Sequence, residues 1–465
     1  MRRAQENALV EMLAIPAVAD ELGERFRTAG HVLYLVGGSV RDALLGRGGE
    51  DLDFTTDARP EQIQALLAGW ADTIWDTGIE FGTLGARRGD HVLEITTFRA
   101  DAYDRVGRNP VDLVRRDFTV NAMAVEVHAP GGERRFVDPH GGIAALAAGT
   151  LDTPATPEES FADDPLRMLR GARFVSQLGF APAPRVVEAM TAMAGELARI
   201  TKERVQAEFS KLLTGAHPRR AIELMVGTGL AEYVVPEVPA MRLAIDEHMQ
   251  HKDVYTHSLV VLEQAIEREQ DGPDLVLRLA ALLHDVGKPD TRRKESDGRV
   301  SFHHHEVVGA KMVRKRLREL RYPKVVVDEV AQLVFLHLRF HGYGNGEWTD
   351  SAVRRYVTDA GPLLERLHKL VRSDSTTRNK RRAAALQRSY DGLEDRIAAL
   401  RAQEELDSIR PDLDGNAIME LLGLPPGPLV GKAYKHLLAL RMDRGPMAHD
   451  EAVAELRAWA AENGV

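Results

Sequence analysis

Two aspartates separated by one residue, Asp51 and Asp53, have the clearest chemical potential in this sequence. They belong to a short strand-like run, and residues i and i+2 of a strand point to the same side. Two carboxylates on one face repel each other and cost stability unless a cation lies between them. An exposed strand face is the ordinary alternative for any such pair, so the neighbouring residues must decide.

A glycine turn precedes the aspartates. The apolar residues 31–36 predict a buried strand that ends at Gly37 and Gly38, and Ser39 is a residue type that caps the start of a helix. Glycine lets the backbone approach a phosphate, and a helix N-terminus offers N–H groups to an anion. A tight turn would explain these residues alone, but the turn followed by the aspartate pair favours Mg²⁺ carrying a nucleoside triphosphate.

Glu94 is a third candidate carboxylate. It lies between Leu93 and Ile95 in another strand-like run, so it faces away from its apolar neighbours, toward solvent or toward a polar cleft. The chemistry of such a site would be phosphoryl transfer with two metal ions. One ion would lower the pKa of an attacking hydroxyl, and the other would neutralise the triphosphate as pyrophosphate leaves.

A second set of residues has the types that bind transition metals. His284 and Asp285 end an apolar helix that stops at Gly287. Further candidates on other predicted helices are His257, His305, His337 and Asp374. A single His on an apolar helix is usually a packed core residue, but six residues in this order predict a metal centre. Histidine selects Zn²⁺, Ni²⁺ or Fe, and the aspartates extend the choice to Mn²⁺ or Mg²⁺.

Composition bounds the remaining possibilities. The 465 residues predict two to four domains, and 44% hydrophobic with 28% charged residues is an ordinary globular composition. The absence of Cys excludes disulfides and thiolate metal sites. Residues 1–26 mix charges into an apolar pattern, which predicts neither a signal peptide nor a membrane span, so we expect a cytoplasmic protein without a membrane partner.

Charge is distributed unevenly. The formal net charge of -9 argues against nonspecific binding of nucleic acid, which needs local cations. Two clusters nevertheless concentrate cations: Lys311, Arg314, Lys315, Arg316, Arg318 and Arg321 on one predicted helix, and Arg378, Lys380, Arg381 and Arg382 further on. A solvated helix face is the ordinary alternative for each cluster.

The pattern along the chain predicts an α+β fold. Strand signals at 31–36, 51–55, 92–98, 118–127 and 134–137, with a helix over 60–70, predict a small mixed or antiparallel sheet. After residue 150 helical patterns dominate. We expect a mixed head at 1–150, a helical neck and body at 151–250, a helical domain with the candidate metal ligands at 251–380 and a helical tail at 381–465.

Three motifs carry a family resemblance. They are LVGGSVRD at 35–42 with DLDF at 51–54, RRDFTVNA at 115–122, and DDPLRMLR at 163–170. In this order they resemble the signature of the class II tRNA nucleotidyltransferases, which are the CCA-adding enzymes and their poly(A) polymerase relatives. The resemblance implies tRNA, CTP and ATP as partners, catalysis by the head at 1–150, and base selection and RNA binding by the neck and body at 151–250. The segment Phe81–Ala86 is more similar to CCA-adding members than to poly(A) polymerases.

The resemblance also implies roles for individual residues. Asp51 and Asp53 would bind Mg²⁺, and Glu94 would be the accessory carboxylate. The triphosphate would be held by Gly37, Gly38, Ser39, Arg41 and Asp42, and phosphate and ribose would be contacted by Arg116 and Asp117. Asp164 and Arg167 would read the base, and Arg170 would also bind nucleotide. An Asp accepts from the exocyclic amine that C and A share, and an Arg donates to a ring nitrogen or carbonyl. A helix i, i+3 salt bridge is the ordinary alternative for Asp164 and Arg167.

Two departures from the family pattern stand out. The family usually has Glu at the position of Asp163. More important, Pro110 is followed almost at once by Arg115, where relatives have about ten more residues in a loop that is needed for switching from C to A. Either the chain is a CC-adding variant, which lacks that loop, or loop residues are missing at this join. The abruptness of the join favours the second explanation.

The order H…HD…H…H…D resembles the HD-superfamily phosphohydrolases. The resemblance implies that His257, His284, Asp285, His305, His337 and Asp374 bind metal and activate water against a phosphoester. His303 and His304 compete with His305, which we prefer because of the Glu306 and Gly309-Ala310 that follow it. A degenerate domain that only binds RNA is the alternative.

Several functions therefore stay open. CCA addition to tRNA is the leading hypothesis, with poly(A) synthesis or CC addition close to it. A nucleotide hydrolase with a nucleotide-binding N-terminal domain belongs to a different class. A non-enzymatic RNA-binding protein fits least, because carboxylate clusters repel RNA unless metals occupy them. The oligomeric state stays open.

Overall fold

The structure, a computed structural model, describes residues 13, 15–78, 82–97, 113–127, 134–242, 253–298, 300–340, 349–376, 380–404 and 409–465. The chain divides into two compact units, Met1–Tyr233 and Val234–Val465. The first unit holds the principal sheet and the second is almost entirely helical, so the predicted α+β class is confirmed. Among the described helices none has the length and apolar character needed to span a membrane.

A seven-stranded sheet forms the centre of the first unit. Its strands are β1 (Leu33–Val36), β2 (Asp51–Thr56), β3 (Thr73–Gly78), β4 (Thr83–Arg88), β5 (His91–Thr97), β6 (Ala124–Glu126) and β7 (Arg135–Val137). Their spatial order is β3-β4-β5-β2-β1-β6-β7. The β2–β5 pair is parallel and the other neighbouring pairs are antiparallel, which is the mixed sheet predicted.

Helices cover the sheet and continue beyond it. They are α1 (Ala17–Thr28), α2 (Gly38–Leu44), α3 (Pro60–Leu67), α4 (Gly142–Ala148), α5 (Pro157–Asp163), α6 (Leu166–Leu178), α7 (Pro184–Met193), α8 (Lys202–Leu213), α9 (Pro218–Gly227) and α10 (Ala231–Val234), with a short strand pair β8 (Thr150–Leu151) and β9 (Ala181–Pro182). Leu52, Phe54, Leu93 and Ile95 bury one sheet face in a core shared with α1 and α3. The opposite face of β2 and β5 is therefore left for polar residues.

The second unit is a helical assembly. Its helices are α11 (Glu237–Ala240), α12 (Val254–Ile266), α13 (Leu275–Leu283), α14 (Lys288–Thr291), α15 (His305–Glu319), α16 (Lys324–Leu336), α17 (Asp350–Ala360), α18 (Leu364–Asp374), α19 (Lys380–Gln403), α20 (Gly415–Leu422), α21 (Pro428–Arg444) and α22 (His449–Glu462), with a small hairpin of β10 (Arg293–Lys294) and β11 (Val300–Ser301). The apolar α13 packs against α12, α16 and α18. A fully buried helix of this kind places its last residues at the centre of the assembly.

Three local predictions were wrong. Gly37, with φ of 72°, precedes α2 as its N-cap, and Ser39 lies inside the helix. Within the predicted strand 118–127 only Ala124–Glu126 is a strand, because Thr119–Asn121 forms a 3-10 turn. Finally, the 465 residues run without a break, so no residues are missing between Pro110 and Arg115, and the short join belongs to the chain. Residues 110–112 of that join lie outside the described part.

Candidate active sites

Three carboxylates share one face of the sheet. Asp51 and Asp53 alternate with buried Leu52 in β2, and Glu94 follows buried Leu93 in β5. The parallel register places Asp53 directly opposite Glu94. The strand period and this register together gather the acids on the face away from the main core.

The electrostatics of this face favour a cation. Burial raises the pKa of Asp53, and the charge of Asp51 raises it further, while Arg116 opposes them. Burial also raises the pKa of Glu94, and the charges of Asp53 and Asp51 add to the effect. The acids therefore destabilise one another's ionised forms. A divalent cation would relieve that repulsion, so the residues fit a Mg²⁺ site.

The glycine turn lies against the acids. A Cβ on Gly37 would lie 3.1 Å from Nη1 of Arg116 and 3.7 Å from Oδ2 of Asp53, so a side chain would crowd both groups. Ser39 connects the turn to β2, since its hydroxyl accepts from the N–H of Asp53 at 3.0 Å and donates to the carbonyl of Asp51 at 3.3 Å. These contacts fix the spacing between the start of α2 and the aspartate pair.

The other predicted triphosphate residues bind one another. Arg41 donates to both carboxylate oxygens of Asp42, at 2.9 and 2.7 Å, and to Oδ1 of Asn121 at 2.6 Å. A Cβ on Gly38 would lie 3.5 Å from Nη2 of Arg41. Arg41 is buried and thus holds the turn against the segment that follows the short join.

Asp117 is buried in the same network. Its carboxylate accepts from Asn121 at 2.9 Å and from Nε of Arg170 at 2.8 Å, and it also caps the N–H of Phe118. Burial opposes ionisation of Asp117, but the charge of Arg170 and these hydrogen bonds outweigh it and lower its pKa. Asp117 is therefore a charged anchor that positions Arg170.

Phe174 in α6 organises the arginines. The guanidinium carbons of Arg41, Arg170 and Arg173 lie 5.1, 5.7 and 4.2 Å from the centre of its ring. Glu208 in α8 accepts from Nε of Arg173 at 2.6 Å. Burial raises the pKa of Asp53, and the charges of Arg170 and Arg41 reduce that rise without reversing it. Sequence reasoning missed Phe174 and Glu208, since their spacing resembles that of ordinary core residues.

The side chains of the predicted base-reading residues, Asp164 and Arg167, each contact other partners rather than each other. Oδ2 of Asp164 accepts from Arg204 at 2.7 Å. Arg167 instead donates to Oγ of Ser160 at 2.9 Å and to the carbonyl of Arg115 at 2.7 Å. These partners replace the i, i+3 salt bridge that was the ordinary alternative. Arg204 was missed, because nothing in the sequence connects α8 with the start of α6.

The second unit brings all six predicted metal ligands together. They form two groups of three, in each of which the ligand atoms lie within 4.8 Å of one another: His257, His284 and Asp374, and Asp285, His305 and His337. Helices α12, α15 and α18 and the ends of α13 and α16 contribute them. The competitors His303 and His304 are exposed, at 72% and 82% of their side-chain surface, whereas His305 is buried.

Backbone carbonyls fix the orientation of three rings. The Nδ1 atoms of His284, His305 and His337 each contact the carbonyl three residues earlier, at 2.9, 2.8 and 2.6 Å. A carbonyl only accepts, so Nδ1 carries a proton and Nε2 points into the cluster, where the neutral form of the ring presents a lone pair. This tautomer is the one that binds a metal through Nε2.

The inward-facing atoms fit a cation. Nε2 of His305 and Nε2 of His337 are buried and have no hydrogen-bond partner among the described residues, and they lie 3.3 and 3.8 Å from Oδ1 of Asp285. Burial lowers the pKa of His337 to about 3, so its ring stays neutral. Lys288 places Nζ 2.6 Å from Oδ2 of Asp285 and was not predicted. Lone pairs facing carboxylate oxygens are unfavourable until a divalent ion lies between them.

Comparison with known families finds three matching regions. Residues 33–152 match the family described as Poly A polymerase head domain. Residues 179–241 match the probable RNA and SrmB-binding site of polymerase A, and residues 254–379 match the HD domain. The two matched domains at the ends contain the acid face and the histidine cluster, respectively.

Individual relatives cover nearly the whole chain. An A-adding tRNA nucleotidyltransferase of Deinococcus radiodurans is 33% identical over 92% of this chain and 95% of its own length. A CC-adding tRNA nucleotidyltransferase of Thermus thermophilus is 33% identical over 91% of this chain and 93% of its own length. The crystal structure of the Bacillus stearothermophilus CCA-adding enzyme in complex with CTP superposes with a TM-score of 0.68, at 26% identity, over 96% of this chain and 98% of that one.

Proposed function

The chain belongs to the tRNA nucleotidyltransferase family, and from this premise we propose that it adds C and A nucleotides to the 3′ end of tRNA from CTP and ATP, without a template. The observation that supports the proposal best is the acid face. There Asp53 lies in register with Glu94, and the charges of Asp51 and Arg116 both act on Asp53. Such a face suits transfer of a nucleotidyl group to a hydroxyl. A cytoplasmic location and the four-segment division stay predictions.

The proposed roles follow from the contacts. Asp51 and Asp53 would hold Mg²⁺, and its positive charge would activate the 3′-hydroxyl and neutralise the leaving pyrophosphate. Arg116, which lies beside the Gly37 turn, binds the triphosphate. Glu94 completes the acid face as an accessory carboxylate. Positioning and charge neutralisation provide most of the catalysis in this kind of transfer.

The remaining arginines act mainly by position. Arg41 is held by Asp42 and Asn121, so it keeps the glycine turn in place while its charge reaches the acid face. Arg170, anchored by Asp117, does the same from the side of α6. We therefore propose that Arg41 and Arg170 support the triphosphate site rather than donate to the phosphates directly.

Asp164 and Arg167 are the proposed base-reading residues. Arg204 occupies one oxygen of Asp164, and three acceptors on Ser160 and Arg115 orient Arg167, so both side chains are held before a base arrives. We expect Arg167→Ala to raise UTP use relative to CTP by about tenfold, because a lost charged hydrogen bond costs roughly 1.5–3 kcal/mol. Arg199→Ala, which removes an exposed cation paired with Glu196, is the control. An unchanged CTP/UTP ratio would contradict the base-reading role.

One incubation tests the transfer itself. The protein is incubated with Mg²⁺, labelled CTP or ATP, and tRNA that lacks its 3′ end, and the product is sized on a gel. Products that stop at CCA support the proposal, and long A tracts on any RNA indicate poly(A) synthesis. Absence of incorporation by wild-type protein, with hydrolysis that survives Asp53→Ala, would leave only the hydrolase function.

Addition that stops at CC is a second candidate, and the short join favours it. The join between Pro110 and Arg115 is a property of the chain, and CC-adding variants lack a loop at this point. The two relatives described above that match along most of the chain are part-specific, one A-adding and the other CC-adding. Addition of A alone was not among the functions predicted from the sequence. Two tRNA substrates, one that lacks the whole CCA end and one that already ends in CC, are each incubated with CTP and ATP. The products separate addition of CCA, of CC only and of A only.

The second unit supports a hydrolase activity. We propose that the histidine cluster binds Mn²⁺, Ni²⁺, Fe or Zn²⁺ and hydrolyses a phosphoester. A metal held there supplies an activated water. Phosphate release from a phosphomonoester and from a 2′,3′-cyclic nucleotide, measured with each metal, tests the activity. Asp285→Asn should abolish release, whereas binding of RNA without any release would support the degenerate-domain alternative.

A further inference from the structure

Helix α15 carries a stripe of four cations, which we call the α15 stripe. It consists of Lys311, Arg314, Lys315 and Arg318. Positions i, i+3, i+4 and i+7 lie on one face of a helix. The opposite face packs inward through Val313 and Leu317, each 1% exposed. The stripe therefore lies along the solvent side of the helix.

Arg316 lies on the same helix but differs from the stripe residues in its ion pairs. Arg316 is 20% exposed and contacts Glu237 at 2.9 Å and Glu319 at 2.8 Å, so its charge is compensated within the protein. Within the described part of the chain, none of the four stripe residues forms an ion pair or a side-chain hydrogen bond. The two lysines and Arg318 are exposed and Arg314 is half-buried.

Uncompensated cations on one helix face are unfavourable. Like charges at helical spacing repel each other and destabilise a helix. The positive charge of the stripe also contrasts with the chain as a whole, which has a formal net charge of -9. A polyanion with regularly spaced charges would compensate the stripe along its whole length.

We propose that the α15 stripe binds the phosphodiester backbone of RNA. Neighbouring members are roughly 5–6 Å apart at Cβ, a spacing that lets successive phosphates of one strand contact successive side chains. Lysine binds phosphate as a point charge and arginine as a planar fork, and neither contact reads a base. The stripe lies in residues 254–379, outside the matched RNA-binding region 179–241. The identity of the RNA as tRNA rests on the proposed function.

Salt dependence of binding tests the stripe. The variant combines Lys311→Gln, Arg314→Gln, Lys315→Gln and Arg318→Gln. The Kd for tRNA is measured by fluorescence anisotropy between about 50 and 200 mM KCl. The slope of log K against log salt should fall in magnitude by about 3, because each phosphate contact contributes roughly 0.7–0.9. At intermediate salt the Kd should rise at least about tenfold, while the KM for CTP and kcat at saturating tRNA stay unchanged.

A charge-matched variant is the control. It combines Arg27→Gln, Arg339→Gln, Arg396→Gln and Arg444→Gln, which remove four exposed cations that already pair with acids. Thermal melting checks that both variants fold. A control slope that falls as much as that of the stripe variant, or a stripe slope equal to wild type, overturns the proposal. If wild-type protein adds no nucleotide to tRNA but the stripe slope still falls, the RNA surface stands and the transferase proposal fails.

Discussion

The acid face of the sheet and the histidine cluster of the second unit both gather carboxylates, but they hold them differently. On the sheet, Asp53 and Glu94 come from adjacent strands, and Glu94 is exposed. In the cluster, Asp285 is 1% exposed and the ligands come from five helices or their ends. Arginines surround the first site, whereas imidazoles surround the second.

This difference indicates how each site uses a metal. The acid face is open and lies beside Arg116, which suits an ion that enters and leaves with a triphosphate. The cluster has Nε2 lone pairs of His305 and His337 already aimed at a buried centre, which suits a resident ion. The first site should therefore be sensitive to its charges, and the second to the packing that aims its rings.

Removing the central acid should have the largest effect. Asp53→Ala removes a ligand and its charge at once, so nucleotide incorporation should fall roughly 10³-fold or more. Phosphate release by the histidine cluster should be unchanged. The reciprocal variant Asp285→Asn should lose hydrolysis and keep incorporation. Loss of both activities in either variant would contradict the independence of the two sites.

Adding a methyl group at the tight contact between Gly287 and α15 should impair only the histidine cluster. A Cβ on Gly287 would lie 2.2 Å from the carbonyl oxygen of His305 and 2.7 Å from the nitrogen of Gly309, so Gly287→Ala must displace the start of α15. We expect metal content by mass spectrometry and hydrolysis to fall about 100-fold, with incorporation retained. Gly392→Ala, where the new methyl meets open space, is the control and should keep its metal.

Weakening the support of one ligand should have an intermediate effect. Nδ1 of His257 lies 3.2 Å from Oγ1 of Thr376, the side-chain counterpart of the carbonyls that orient the other rings. Thr376→Val should lower metal affinity roughly 10- to 100-fold, as loss of such support does elsewhere. Chelator competition measures the affinity. Thr376→Ser keeps the hydroxyl and should bind like wild type; equal losses in both variants would assign the effect to packing.

The smallest effect is expected at the aromatic ring behind the acid face. Phe174→Leu removes the ring shared by Arg41, Arg170 and Arg173, and each such contact is worth roughly 0.5–1 kcal/mol. We expect kcat/KM for CTP to fall about tenfold, with hydrolysis unchanged. Phe161→Leu changes another fully buried phenylalanine, and an equal fall there would assign the loss to general destabilisation.

Sequence periodicity could predict side-chain direction but not pairing. The strand period placed Asp51 and Asp53 on one face, as the structure has them. It could not predict that Glu94 lies opposite Asp53, because that depends on parallel pairing of two strands distant in sequence. Ser39 was assigned to the wrong position, because the residue type that caps a helix also binds a neighbouring strand when glycine takes the cap.

The contacts that decide the chemistry were harder to predict than the acids. Arg204, Phe174 and Glu208 act through partners on other elements, and no local pattern marks them. The histidine cluster was predictable as a set, because its order along the chain resembles a known superfamily. The exposure of His303 and the burial of His305 became evident only in the folded chain.

The carbonyl contacts of His284, His305 and His337 have a practical consequence for preparing the protein. Since the backbone aims the rings, a chelator should empty the centre without unfolding the unit, and dialysis should refill it. One purified batch can then be divided into matched samples that differ only in their metal. The metal found after purification would reflect the growth medium, so rates from different preparations are comparable only after this exchange.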